Sequence, residues 1–266
     1  MLFVCVVKLE TELKVETMNT VYMAFANQKG GVGKTLFTTL VASYLHYLTK
    51  INVLVVDADY PQYSIVAARN RDLDLIQRDE YFKRLAYNQF SVIQKQAYPI
   101  LKSIPAEAIK TADDYLQNKI PNVILFDLPG TVQSEGVLKT LAGLDYIFIP
   151  ISADRLVLES SLSFAQTIQK AFVNNKSTRL KQVFLFWNQV DARENKSMYE
   201  VYERIIRGMN LMLLESHVRD TKSFRKEILQ ERRIIFRSTL FPASKRFARG
   251  SNVEALVLEI AKIVLV

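Results

Sequence analysis

The chain has 266 residues, 49% hydrophobic and 23% charged, enough to bury roughly 70–75% of its unfolded surface. Its one cysteine, Cys5, excludes intrachain disulfides, cysteine-rich zinc sites and cysteine-held clusters, and of its two histidines His46 stands in the apolar run YLHYL, where it reads as a packed helical side chain. The formal charge of +8 is uneven: Arg219 to Arg249 hold ten Lys and Arg against three acids, a net +7 that suits an anionic partner, either nucleic acid or a membrane surface.

The first apolar run, LFVCVV at 2–7, and the longest later one, YIFIPI at 146–151, fall short of the ~20 residues of a spanning helix. LFVCVV leads into KLETELKVE and not into a small-residue cleavage site, so a cytoplasmic protein is expected. Residues 1–17 lack the strand-and-helix register of the remaining chain, and Met18 opens MNTVYMAFA, a lead-in to a first strand. Two readings stand for them, an N-terminal extension with an edge strand or a translation start at Met18; the intact mass separates the two. Residues 18–266 carry no internal repeat or linker and are expected to form a single domain.

Short β-branched or aromatic runs then alternate with helical patterns: VYMAFAN with TLFTTLVASYLHYL, NVLVVDAD with a helical stretch, NVILFDL with SEGVLKTLAGL, YIFIPI with LVLESSLSFAQTIQKAFV, and VFLFWNQ with MYEVYERIIRGM. Strict alternation predicts right-handed crossovers and a doubly wound α/β fold, its mainly parallel sheet flanked by helices. Residues 70–121 are less regular. Helical patterns at RDEYFKRLAY and PAEAIKTADDYLQ predict an outlying helical section there.

The stretch ANQKGGVGKTL (26–36) sits between the first strand and the first helix, the context in which a phosphate loop is credible. Gly30, Gly31 and Gly33 let successive N–H groups turn inward, and the helix beginning near Lys34 adds its positive end. Lys34 is placed to reach β and γ phosphates, and the Thr35 hydroxyl to bind a bridging Mg2+. Lys29, Gly30, Gly31, Val32, Gly33, Lys34, Thr35 and Leu36 are therefore the candidate nucleotide cradle. The pattern has one feature such loops do not need, the additional lysine Lys29.

KGGVGKT resembles the deviant Walker motif of the ParA/MinD family of ATPases. The resemblance implies a homodimer that sandwiches two ATP molecules, each Lys29 crossing to the partner's phosphates like an arginine finger supplied in trans. VVDADYPQYS (55–64) looks like the family's first switch, with Asp57 near magnesium through water and Asp59 positioning the attacking water; the interposed Tyr60 departs from the family pattern. NVILFDLPG (122–130) looks like Walker B with the second switch, Asp127 at a strand end near the metal and Gly130 moving with the γ-phosphate. Asn188, closing FLFWNQ, would meet the adenine ring by the match. LFPASKRF (240–247) resembles the family's late I-P-R-x-x-R segment, aligning Pro242 with its proline and Arg246 with its second arginine.

The output of such a switch is argued separately. Nitrogenase iron proteins of the group need cluster cysteines, which this chain lacks. A MinD-like regulator needs a C-terminal amphipathic helix with basic residues at the lipid face, but NVEALVLEIAKIVLV is apolar on most faces and reads as a core helix, so no membrane partner is expected. The remaining output is non-specific DNA, with Lys222, Arg225, Lys226, Arg232, Arg233, Lys245 and Arg246 contacting phosphates; Phe224, Phe236 and Phe247 between them read as core. The resemblance thus implies a ParA-type ATPase, nucleoid-associated when ATP-bound and stimulated by a centromere-binding ParB-like activator. ASYLHY with DADYPQYSI is closest to ParA-like proteins of conjugative transposons. The alternatives are a MinD-like membrane regulator and a small-molecule enzyme of the dethiobiotin synthetase type.

Overall fold

The computed structural model describes residues 19–130, 134–173, 175–191, 193 and 196–265. The two readings of residues 1–17 lie outside them. Strands β1 (Val21–Phe25), β2 (Val53–Asp57), β3 (Ile100–Lys102), β4 (Val123–Asp127), β5 (Tyr146–Ile151), β6 (Gln182–Trp187) and β7 (Met212–Leu213) form one sheet in the order β3-β2-β4-β1-β5-β6-β7. Every neighbouring pair in it is parallel.

Alternation along the strands divides the core into two layers, because successive side chains point to opposite faces. Val21, Met23 and Phe25 face α1 (Lys34–Leu48) and the C-terminal helix, whereas Tyr22 and Ala24 face the other layer of helices. That second layer holds α4 (Ala108–Leu116), α5 (Glu135–Ala142), α6 (Arg155–Ile168) and α7 (Lys196–Gly208).

The section between 70 and 121 differs from expectation. Helices α2 (Ser64–Arg78) and α3 (Glu80–Ile93) do form a satellite, with Phe82 and Ala86 joined by Ile235, Leu240 and Phe241 in a cluster of their own. But β3 is an edge strand of the main sheet, and α4 buries Ala108 and Ala112 against that sheet. Three residues with a lysine among them, ILK, carry too little pattern to read as a strand. The two-residue strands β7, β8 (Ile228–Leu229) and β9 (Ile234–Ile235), the last two an antiparallel pair, escape for the same reason.

A short helix α8 (Lys245–Gly250) precedes α9 (Val253–Val264), which buries Val253, Leu256, Val257, Ile260, Ala261 and Val264 in the same layer as α1. The apolar face an anchor would offer to lipid is thus taken up by the core. No helix among the described residues is long and apolar enough to cross a membrane.

His46 is packed, as its apolar setting predicts. The Val53 N–H donates to Nδ1 at 3.2 Å, which leaves the proton on Nε2 to donate to the Gln96 carbonyl at 2.9 Å. Burial pushes its pKa down to about 4, against the Gln96 hydrogen bond. The unfolded chain takes up a proton near pH 6.5 that the folded chain refuses until about pH 4, so stability holds above that window and falls as pH drops through it. The expected loss from this one group is about 3 kcal/mol. Urea titrations from pH 7 to pH 4 should show it, and a His46→Gln protein should lack that share of the slope.

Candidate nucleotide site

The loop after β1 is braced before it turns. Asn27, fully buried, donates from Nδ2 to the Pro150 carbonyl at 2.9 Å and to Ser161 Oγ at 2.8 Å, while its Oδ1 accepts the Lys29 N–H at 3.0 Å. Gln28 Nε2 donates to the carbonyl and hydroxyl of Ser160. The chain therefore enters the turn fixed to β5 and α6. Gly33 then takes a φ of 97°, a left-handed conformation costly for a side chain, and a Cβ there would stand 3.0 Å from the Phe37 ring. The Phe37 N–H to Gly33 carbonyl bond, 2.9 Å, starts α1.

Lys34 folds back so that Nζ donates to the Lys29 carbonyl at 3.3 Å, and a Cβ on Gly130 would lie 3.4 Å from that Nζ. Burial lowers the Lys34 pKa, opposed by Asp127 and Asp59. Thr35 Oγ1 lies 2.8 and 3.1 Å from the two oxygens of Asp127. Asp127 is fully buried, and burial first, then Asp57 and Asp59, push its pKa up to about 8 against the Thr35 hydrogen bond and Lys34. In sheet register Asp57 stands directly beside Asp127.

Asp57 does two things at once. Its Oδ2 accepts the N–H groups of Ile65 and Val66, each at 3.0 Å, capping α2 from a strand end, while its Oδ1 is buried without a partner. Burial raises its pKa, as it does that of half-buried Asp59, where Lys34 opposes the shift. The interposed Tyr60 is absorbed by a loop that the Tyr63 N–H closes onto the Asp59 carbonyl at 2.9 Å, leaving Tyr60 exposed. Lys34, Thr35, Asp57, Asp59, Asp127 and Gly130 are therefore brought together as the sequence predicts. Among the described residues no group of three or more His, Cys, Asp or Glu side chains could hold a metal alone. An orphaned buried oxygen on Asp57 and a hydroxyl-carboxylate pair at Thr35 and Asp127 fit a hard cation that shares its shell with water and phosphate.

Asn188, the residue expected at the base, reaches the phosphate loop. Nδ2 donates to the Val32 carbonyl at 3.0 Å and Oδ1 accepts the Gln189 N–H at 2.8 Å, so the amide braces the loop from the end of β6. Pro242 lies in a turn held elsewhere: Gln89 of α3 donates to the Leu240 carbonyl, and Phe241 packs 6.2 Å from Phe82. The segment beside Asn188 is Val218–Asp220, whose backbone bonds to Trp187 and Val190 at 2.7 to 3.0 Å. Pro242 and Asn188 thus belong to different parts of the structure, and the backbone that flanks Asn188 is that of Val218–Asp220.

Lys29 is exposed; its N–H and carbonyl are both engaged, yet its ammonium meets no partner among the described residues. The seven cations proposed for phosphate contact are also all exposed. They are carried by a 3-10 turn at Lys222–Arg225, the β8–β9 hairpin with its 3-10 turn at Gln230–Arg232, and α8. Phe224, Phe236 and Phe247 interlock beneath them at 5.3 Å and join the core.

The profile of the CobQ/CobB/MinD/ParA nucleotide-binding domain matches residues 23–234. The chain belongs to this family. Among solved structures, this family member is similar to a Borrelia burgdorferi protein assigned to plasmid partition and bound to AMPPNP, at 16% identity, a TM-score of 0.57, and coverage of 91% of this chain and 98% of that one. It is similar to cobyrinic acid a,c-diamide synthase from Mycobacterium smegmatis with ADP and magnesium, at 20% identity, a TM-score of 0.53, and 76% and 87% coverage. The Aquifex aeolicus MinC:MinD complex matches at 18% identity, a TM-score of 0.50, and 77% and 83% coverage. At these identities the likeness shows the fold. No curated protein sequence matches the chain.

Proposed function

We propose that this family member is a ParA-type ATPase whose ATP-bound homodimer holds non-specific DNA and is stimulated by a ParB-like activator, serving segregation or maintenance of a genetic element. The observation that supports this reading is the exposed cationic face, whose segment is bonded to the helix that Asp57 caps. Asp57 caps the N-terminal end of α2, and farther along the same helix Arg71 pairs with Glu227 at 2.7 Å. Asp72 accepts from the Thr239 N–H and hydroxyl at 2.6 Å, and Arg69 donates to Thr239 at 2.9 Å. One helix thus ties Asp57 to the segment bearing the cations.

In this reading Lys34 and the loop N–H groups bind the β and γ phosphates of ATP, Asp59 orients a water for attack on the γ-phosphorus, and the products are ADP and phosphate. Thr35 and Asp127 would hold Mg2+, with Asp57 Oδ1 accepting from one of its waters. The ion neutralises phosphate charge when bound. Asp59→Ala is expected to bind ATP within about threefold of the natural chain and to lose roughly 10²–10⁴ in hydrolysis; a normal phosphate-release rate would remove Asp59 from the water.

The reading as a whole is tested by co-sedimentation with plasmid DNA and with anionic liposomes, with and without ATP, at two salt concentrations. DNA retention that needs ATP and weakens with salt is expected. Retention indifferent to both, or transfer to liposomes instead, would overturn it.

A further inference from the structure

Between the Val218–Asp220 segment, the β8–β9 hairpin and α8 lies a cavity of about 570 Å³, a size within the roughly 300–1,000 Å³ of small-molecule sites. Arg219, Arg232 and Arg246 line it, each from a different segment, and Asp220 is the one acid among the lining residues. All three arginines are exposed and none has an ion-pair partner among the described residues. Other cations of the stretch do: Arg237 pairs with Glu227 at 3.0 Å and Arg249 with Glu254 at 2.9 Å. Hydroxyls of Thr221 and Ser244 add donors at the wall, and the rings of Phe236 and Phe247 add an apolar surface. No residue of the loop 27–36 lines the cavity, and neither do Asp57 and Asp127.

We infer that this cavity is a second anion site, distinct from the phosphate loop, which takes a small phosphorylated molecule bearing two or more phosphate groups. The three guanidinium groups line one hollow in which Asp220 is the single carboxylate, so a multiply charged anion can offer them bidentate bonds that one acid cannot supply. A duplex is a convex rod and meets cations that project. These line a hollow of about 570 Å³, which fits a small occupant. The aromatic wall next to the cations favours a ligand with a ring or carbon skeleton beyond its phosphates. Because Arg232 and Arg246 also belong to the face proposed for DNA, such a ligand would compete with DNA there.

The test uses the full chain and inorganic pyrophosphate as probe, reading phenylglyoxal modification of each arginine by peptide mass mapping. Protection of Arg219, Arg232 and Arg246 with one shared midpoint is expected, unchanged in a Lys34→Ala protein whose phosphate loop is disabled. In an Arg232→Ala protein the midpoint for the other two should rise by about tenfold or more. Protection that vanishes with Lys34→Ala, separate midpoints for the three arginines, or protection by a DNA duplex but not by pyrophosphate would each overturn the proposal. Mapping on the natural chain keeps the test valid should the arginine variant fail to fold.

Discussion

A Lys29→Ala protein is expected to bind ATP as the natural chain does while its partner-stimulated hydrolysis falls by roughly 10³–10⁵-fold. The contacts that shape the loop use only the backbone of residue 29: its N–H goes to Asn27 and its carbonyl to Lys34. Alanine keeps both. What it removes is an exposed ammonium with no partner among the described residues, a group that in the proposed dimer acts only when a second subunit faces it. Binding of a fluorescent ATP analogue and phosphate release with DNA and activator would measure the two effects separately. Mixing sharpens the test. In a dimer of Lys29→Ala with Asp59→Ala, one site holds an intact Asp59 together with an intact Lys29 from across the interface, so activity should partly return. Unchanged stimulation in the single variant, or no recovery in the mixture, would remove the trans role.

The parts of this site legible in the sequence are those whose chemistry is local. KGGVGKT needs glycines with left-handed φ values next to a helix start, and Gly31 and Gly33 take φ values of 75° and 97°. VLVVD and VILFD are continuous apolar runs ending in an acid, so both strands follow from pattern, whereas the register that sets Asp57 beside Asp127 is seen only in the assembled sheet. The parts that escaped depend on distant contacts. Asn27 and Gln28 look like ordinary polar residues until β5 and α6 come beside them, and Asp57 as a cap for α2 depends on how the loop through Tyr60 folds. Asp72 is the clearest case. In sequence it is one charge among RNRDLD, yet it is buried and accepts the bonds that hold Ser238 and Thr239. The pairing of Val218 with the end of β6 has the same origin, because it exists only once the sheet is assembled.

Lys34→Ala is expected to abolish usable ATP binding without unfolding the chain. The ammonium is partly desolvated and stands among Asp59 and Asp127, so its loss leaves carboxylates to face incoming phosphates uncompensated. Truncating one member of such a charge pair costs about 2–5 kcal/mol, roughly 30-fold to several thousand-fold in affinity. The ligand-free protein gains something in return, because a lysine whose pKa burial lowers is a destabilised cation. Its melting temperature should therefore stay near that of the natural chain. The discriminating readout is the shift on adding ATP and magnesium. At about 100 times the dissociation constant a ligand stabilises by about 2.7 kcal/mol, or roughly 5–10 °C for a domain this large. The natural chain should show that shift and Lys34→Ala should not. Lys34→Arg should not rescue it, because a planar guanidinium does not reproduce the compact point charge that the ammonium places beside the Lys29 carbonyl. A variant that melts normally and still shifts with ATP would mean that the phosphates are held by the backbone N–H groups alone.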